Sequence, residues 1–236
     1  MVRANERWHI IMGTRKEILS NSECYHIFSR SIAKFVVFNT PAEYLRFIDL
    51  MRLYRFQNFQ YRYSDFIDLE IGLQSAIRKN LEDENEVLVK IIAYCLMPTH
   101  IHLIVQQVVD DGISKFIARV LNGYSRFFNT KHKRLGPLWS SRFKSVRVLD
   151  DDQMLHLTRY VHLNPTSANI VSRPEHWQFS SYHEFIGEEK NVSELCNFTH
   201  LMDFESRQYK KFVEDHKSYQ RDLAKIKKLI IDDYTG

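Results

Sequence analysis

The sequence predicts an α+β fold, a modest sheet with helices packed on its faces, and three observations point to it. Two extended apolar runs, residues 87–96 and 100–107, meet at a Met97-Pro98-Thr99 break as the arms of a strand pair would. Segments with apolar residues at a period near 3.6 lie on both sides of that pair. Only seven Gly and five Pro in 236 residues leave too few turns for a many-stranded sandwich or barrel.

Taken in order, residues 24–30 (CYHIFSR) are short and rich in aromatic and β-branched side chains, as a first strand is. Thr40-Pro41 then offers a cap and a first-turn proline to a helix carrying Tyr44, Phe47, Ile48, Met51 and Tyr54. Residues 57–86 begin aromatic and continue as a second helix through Ile71, Leu73 and Ile77. The strand pair follows as the buried centre of the sheet. From Asp111-Gly112 a long helix presents Ile113, Phe116, Ile117, Val120, Leu121, Tyr124 and Phe128 on one face and Lys115, Arg119, Asn122 and Arg126 on the other. Gly136-Pro137 ends that segment, and residues 142–148 (RFKSVRV) form a basic strand. A further helix is expected from the Asp150-Asp151-Asp152 cap to about Leu163, where Asn164-Pro165 interrupts it and Asn164 caps a short helix over residues 166–170. Residues 204–231 read as a charged helical tail. The expected organisation is an N-terminal extension over 1–23, a catalytic domain over 24–187 and an accessory helical segment over 188–236.

The composition, 44% hydrophobic and 26% charged, suits a globular chain and excludes a disordered one. Net charge is only +4, yet Arg119, Arg126, Lys131, Lys133, Arg134, Arg142, Lys144 and Arg147 crowd together with acids only at Asp150, Asp151 and Asp152. Such a local excess suits a phosphate-binding face. Cys24, Cys95 and Cys196 are odd in number and widely spaced, which points away from a disulfide framework or zinc ribbon and towards a reducing cytoplasm. No run of about 18 apolar residues spans a membrane, and no signal peptide is visible.

His100 and His102 are two apart on a strand, so both imidazoles share one face while Ile101 and Leu103 point to the core. Two nitrogen donors with an oxygen ligand suit a first-row divalent ion, which can polarise a phosphodiester. Tyr160 and Asn164 lie one turn apart on the helix after the basic strand. A tyrosine can be a covalent nucleophile when a base or cation assists it. Taken singly, each of these residues is equally a packing or capping residue; Tyr124, set in an apolar stripe, is one.

The ordered blocks Cys24 to Arg30, Met97 to Leu103, Gly136-Pro137-Leu138-Trp139 with Arg142-Phe143-Lys144-Ser145, Arg159 to Pro165, and His176-Trp177 with Ser180-Ser181-Tyr182 together resemble the REP-associated tyrosine transposases. The resemblance covers residues 24–187. It implies a ferredoxin-like antiparallel sheet with helices on its faces, and a divalent ion, Mg²⁺ or Mn²⁺, held by His100, His102 and Asn164. It implies further that Tyr160 becomes joined to a DNA 5′ phosphate, in a cytoplasmic, nucleoid-associated protein acting on single-stranded or hairpin DNA, as monomer or homodimer. Arg126, Lys131, Lys133, Arg134, Arg142, Lys144, Arg147 and Arg159 are the expected DNA contacts, with Trp139 and Phe143 placed among them for stacking or for the core. Thr99 stands where Asn is common in that family, and residues 57–86 look like an enlarged connection. Three other readings compete: a hairpin-binding protein without cleavage, a histidine-triad nucleotide hydrolase, whose third histidine would fall on Ile104, and a zinc hydrolase.

Overall fold

The computed structural model describes residues 18–188, 195–198 and 205–215. Strand β1 (Cys24–Arg30) leads through α1 (Pro41–Tyr54), a short α2 (Tyr63–Ile67) and α3 (Ile71–Glu84) to β2 (Val89–Met97) and β3 (His100–Gln107). Helix α4 (Gly112–Lys131), β4 (Lys144–Arg147), α5 (Asp151–Ser167), α6 (Tyr182–Phe185) and α7 (Ser206–Glu214) follow. The sheet order is β2-β3-β1-β4, and every adjacent pair is antiparallel. With α1 before β2 and α4 before β4, this is a split βαβ arrangement, the ferredoxin-like architecture expected from the sequence.

Alternation along the strands sorts side chains onto two faces. Tyr25, Ile27, Ile101, Leu103 and Val105 meet α1 and α4 in the larger core, where all seven apolar residues of the α4 stripe are buried. Full burial of each such large side chain contributes about 1.5–3 kcal/mol. Tyr124 is among them, its hydroxyl donating to the Val37 carbonyl, which settles it as a packing residue. The opposite face of the sheet, through Cys95, Met97 and Ile104, meets α5, α6 and α7. At the start of α1 the expected cap is complete: Thr40 and Glu43 form a reciprocal capping box.

Three local expectations change. Asn164-Pro165 does not interrupt α5, which continues to Ser167. Pro165 lies in the final turn, where only one intrahelical bond is forfeited, and the Asn164 amide donates to the Tyr160 carbonyl instead of capping a new helix. The basic strand is shorter than residues 142–148. In α3, Ile71 and Leu73 are exposed, so of the three residues that suggested the helix only Ile77 packs, partly buried, against the larger core, with Leu81 the one fully buried residue of the helix. Of the expected tail helix, residues 206–214 are seen as α7; the remainder lies outside the described residues.

Candidate active site

The face of β1 and β3 turned towards α5 carries His26, Phe28 and Arg30 alongside His100, His102 and Ile104. The register sets Arg30 against His100 and Phe28 against His102, with His26 one diagonal step away. His26 Nε2 and His102 Nδ1 are 3.0 Å apart and the rings stack with planes 6° apart. The rings of His100 and His102 meet edge to face at 5.1 Å. From α5, Tyr160 closes the cluster, its ring 5.7 Å from that of His102 and 6.3 Å from that of His26, edge-on to both. Sequence separations of 58 and 134 residues thus collapse into one site, with Asn164 a turn further along the same helix.

Burial governs the protonation of this cluster. It pushes His26 down to about 3 and His100 down to about 4, the Arg30 charge adding to the effect at His100. His102 is likewise held well below its ordinary value by burial, then by the charges of His100, His26 and Arg30. All three imidazoles are therefore neutral near pH 7, the form in which a ring nitrogen can ligate a metal. His100 Nδ1 is engaged by the Thr99 hydroxyl at 3.0 Å and His102 Nδ1 by His26, which leaves each Nε2 as a donor atom. Because Asn164 Nδ2 is committed to the Tyr160 carbonyl at 3.0 Å, its Oδ1 remains as an oxygen donor. Two imidazoles and an amide oxygen suit a first-row divalent ion. Among the described residues no group of three or more His, Cys, Asp or Glu is arranged to hold such an ion. His26 Nδ1 is buried without a hydrogen-bond partner.

The cationic residues do not form one surface. Arg142 and Lys144 join Arg30, Ser140 and Ser141 in a shallow groove at the sheet edge, and Lys144 pairs in register with Phe28 on the histidine face. Arg126 and Lys131 lie on α4, against the opposite face; Lys131 bonds Glu43 at 2.7 Å. Arg134 is tied to the carbonyls of Gly136 and Pro137, Lys133 is exposed, and Arg147 pairs with Glu23 at 2.5 Å. Arg159 corrects the expectation most plainly. It is 1% exposed, donates to the Asp215 carbonyl and lies 4.6 Å over the Phe212 ring, so it braces α7 instead of meeting DNA. Adjacent helical residues diverge by about 100°, and Arg159 faces inward where Tyr160 faces the site. Trp139 and Phe143 pack against the larger core. Ile104 is fully buried, so the third position of a histidine triad is a core residue.

His26 and Arg30 were missed from the sequence. Their signal was the period of two in CYHIFSR, which places His26, Phe28 and Arg30 on one face.

The IS200-like transposase family matches residues 57–164, a span that contains His100, His102, Tyr160 and Asn164 but not His26. A putative REP-associated tyrosine transposase of Haemophilus influenzae is 28% identical over a 102-residue alignment, and the match covers 39% of this chain and 58% of that relative's length. The solved structure of a REP-associated tyrosine transposase bound to a REP hairpin superposes with a TM-score of 0.50 at 14% identity, covering 82% of this chain and 99% of the other. At that identity the likeness speaks for the fold.

Proposed function

We infer that this chain, a relative of the IS200-like, REP-associated tyrosine transposases, cuts and rejoins single-stranded DNA beside hairpins, with Tyr160 as nucleophile. The observation that carries the reading is the convergence of Tyr160 with His100 and His102 on one face of the sheet, within a matched span of the family.

The chemistry follows from that placement. The Tyr160 oxygen attacks phosphorus, the bond to the departing 3′ oxygen breaks, and the DNA 5′ phosphate becomes an ester of the tyrosine. The phenol gives up one proton and the released 3′ hydroxyl takes one up, so charge balances. Attack by a 3′ hydroxyl on the phosphotyrosine reverses the exchange, and no external energy source is needed. His100 and His102, with Asn164 Oδ1, would hold a divalent ion, Mg²⁺ or Mn²⁺. When bound, that ion polarises the phosphate and stabilises the charge that develops on it. The groove of Arg30, Arg142 and Lys144 receives the phosphates of the strand beside the site. Residues 24–187 form the catalytic unit, and α7 braces the back of α5 through Arg159 and through His162, whose Nδ1 meets the Tyr209 hydroxyl at 2.6 Å. Among the described residues no helix is long and apolar enough to cross a membrane.

The test is direct. Purified protein is incubated with labelled hairpin DNA and Mn²⁺, resolved by denaturing electrophoresis, and any adduct is mapped by peptide analysis. A covalent adduct at Tyr160 is expected; binding with no adduct under any divalent ion would leave a hairpin-binding protein.

A further inference from the structure

The enlarged connection between α1 and β2 has no part in the site above, yet it completes a second concave surface. On α1, Arg46, Leu50 and Tyr54 succeed one another at intervals of four; on α4, Gly123, Phe127 and Lys131 do the same. The two stripes face each other, and α2 adds Tyr63 from the enlarged connection, with Arg62 at its cap. Together they line a solvent-open groove on the α1/α4 side of the sheet, away from Tyr160.

Charge and geometry say what would fill it. The Arg46 guanidinium is held between two rings, 4.4 Å from the centroid of Tyr63 and 4.7 Å from that of Phe127, a fixed and strongly oriented cation. Arg62 and Arg126 stand exposed at the rim. Among the described residues none of these three arginines pairs with a carboxylate. Of the nearby acids, Glu43 is engaged by Lys131 and His132 and Asp49 by the Tyr63 hydroxyl at 2.8 Å, while Asp65, exposed on α2, accepts from the Ser64 hydroxyl at 3.0 Å and leaves the cations in excess. The lining thus favours a polyanion. Tyr54 and Tyr63 are buried, and Phe127 is covered by Arg46 and by Lys131, so little ring surface remains on which an unpaired base could stack. A strand whose bases are already paired, read through its phosphates alone, meets both conditions.

We propose that this groove is a second DNA contact that takes the sugar-phosphate backbone of a paired hairpin stem, while the single-stranded flank lies on the Tyr160 face. The proposal rests on the DNA-processing role argued above. Arg62 and Arg126 then supply two phosphate contacts that carry no sequence information and set how far the stem sits from the cut.

The test compares wild type with an R62Q/R126Q variant by fluorescence anisotropy over a salt series, on two labelled DNAs: a hairpin with a single-stranded tail, and the tail alone. Both positions are exposed, and circular dichroism would verify an unchanged fold. The double variant should lower the slope of log affinity against log salt for the tailed hairpin by about 1.8, at about 0.9 per lost duplex phosphate contact, and leave the tail-alone slope unchanged. An unchanged slope on the tailed hairpin, or an equal loss on both DNAs, overturns the proposal. Were wild type to bind the tail no more weakly than the tailed hairpin, the stem contact would fail and the DNA reading would stand. Were it to bind neither, both would fail together.

Discussion

His26 Nε2 lies 3.0 Å from His102 Nδ1, a buried contact that joins the first strand to the third and fixes the orientation of the His102 ring. If His102 offers its Nε2 lone pair to a metal, its Nδ1 proton must be donated to His26. The proton of His26 then rests on Nδ1, the buried atom without a partner. Outer partners of ligating histidines are typically worth about 10–100-fold in metal affinity. His26→Leu should therefore weaken Mn²⁺ binding in calorimetry by about that factor, and His26→Gln, which retains an acceptor near the Nε2 position, should recover most of it. Equal Mn²⁺ affinity in wild type and His26→Leu, with the fold unchanged, would remove His26 from the site.

His26 also shows where the sequence stops being legible. His100 and His102 declare a shared face by their spacing, and Tyr160 stands in a recognisable block. The partnership of His26 with His102 spans 76 residues and exists only because β1 pairs with β3 in one register, which no local pattern states. The α4 stripe was legible because burial follows its period. Arg159 was not, since composition records a positive charge but not which side of a helix it occupies. The division of the basic cluster between the two faces of the sheet has the same origin: residues close in sequence on α4 and β4 diverge once the chain crosses the sheet.

That inward turn of Arg159 yields a prediction opposite to the one its charge suggests. Arg159→Met keeps the aliphatic stem but removes the bond to the Asp215 carbonyl and the contact with Phe212. Stability in urea should fall by about 1–3 kcal/mol, while the salt slope of DNA binding stays as in wild type. A slope shallower by about 0.9, the value of one duplex phosphate contact, would return Arg159 to the DNA interface.

Tyr160→Phe deletes one oxygen and keeps the ring that lies edge-on to His26 and His102. Affinity for hairpin DNA and thermal stability should stay close to wild type, whereas the covalent adduct disappears because no other group supplies its oxygen. Denaturing electrophoresis decides the matter: an adduct that survives in this variant, or maps to Tyr182, would assign the chemistry elsewhere. Asn164→Ala should leave the adduct attached through the same residue but require more Mn²⁺ to form it, since one oxygen donor is lost.

Glu43 is fully buried at the start of α1 and joins that helix to the end of α4. Burial alone would raise its carboxyl. Hydrogen bonds from Lys131 at 2.7 Å, from the Asn39 backbone N–H at 2.5 Å and from His132 at 2.7 Å outweigh it, and the group is held down at about 2 instead of 4.5. Between those two values the unfolded chain takes up a proton that the folded protein refuses, so acid favours unfolding there. Stability contributed by the ionised Glu43 is complete above the unfolded value and drains away as pH falls from 4.5 towards about 2. Glu43→Gln cannot lose what it lacks. The variant should be less stable than wild type at neutral pH by about 1.5–3 kcal/mol, the range for hydrogen bonds to a charged group. The gap between the two proteins should narrow as chemical denaturation is repeated at successively lower pH through that window. A gap that held constant down to the lowest pH at which both remain folded would mean that Glu43 is not the acid-sensitive tie between α1 and α4.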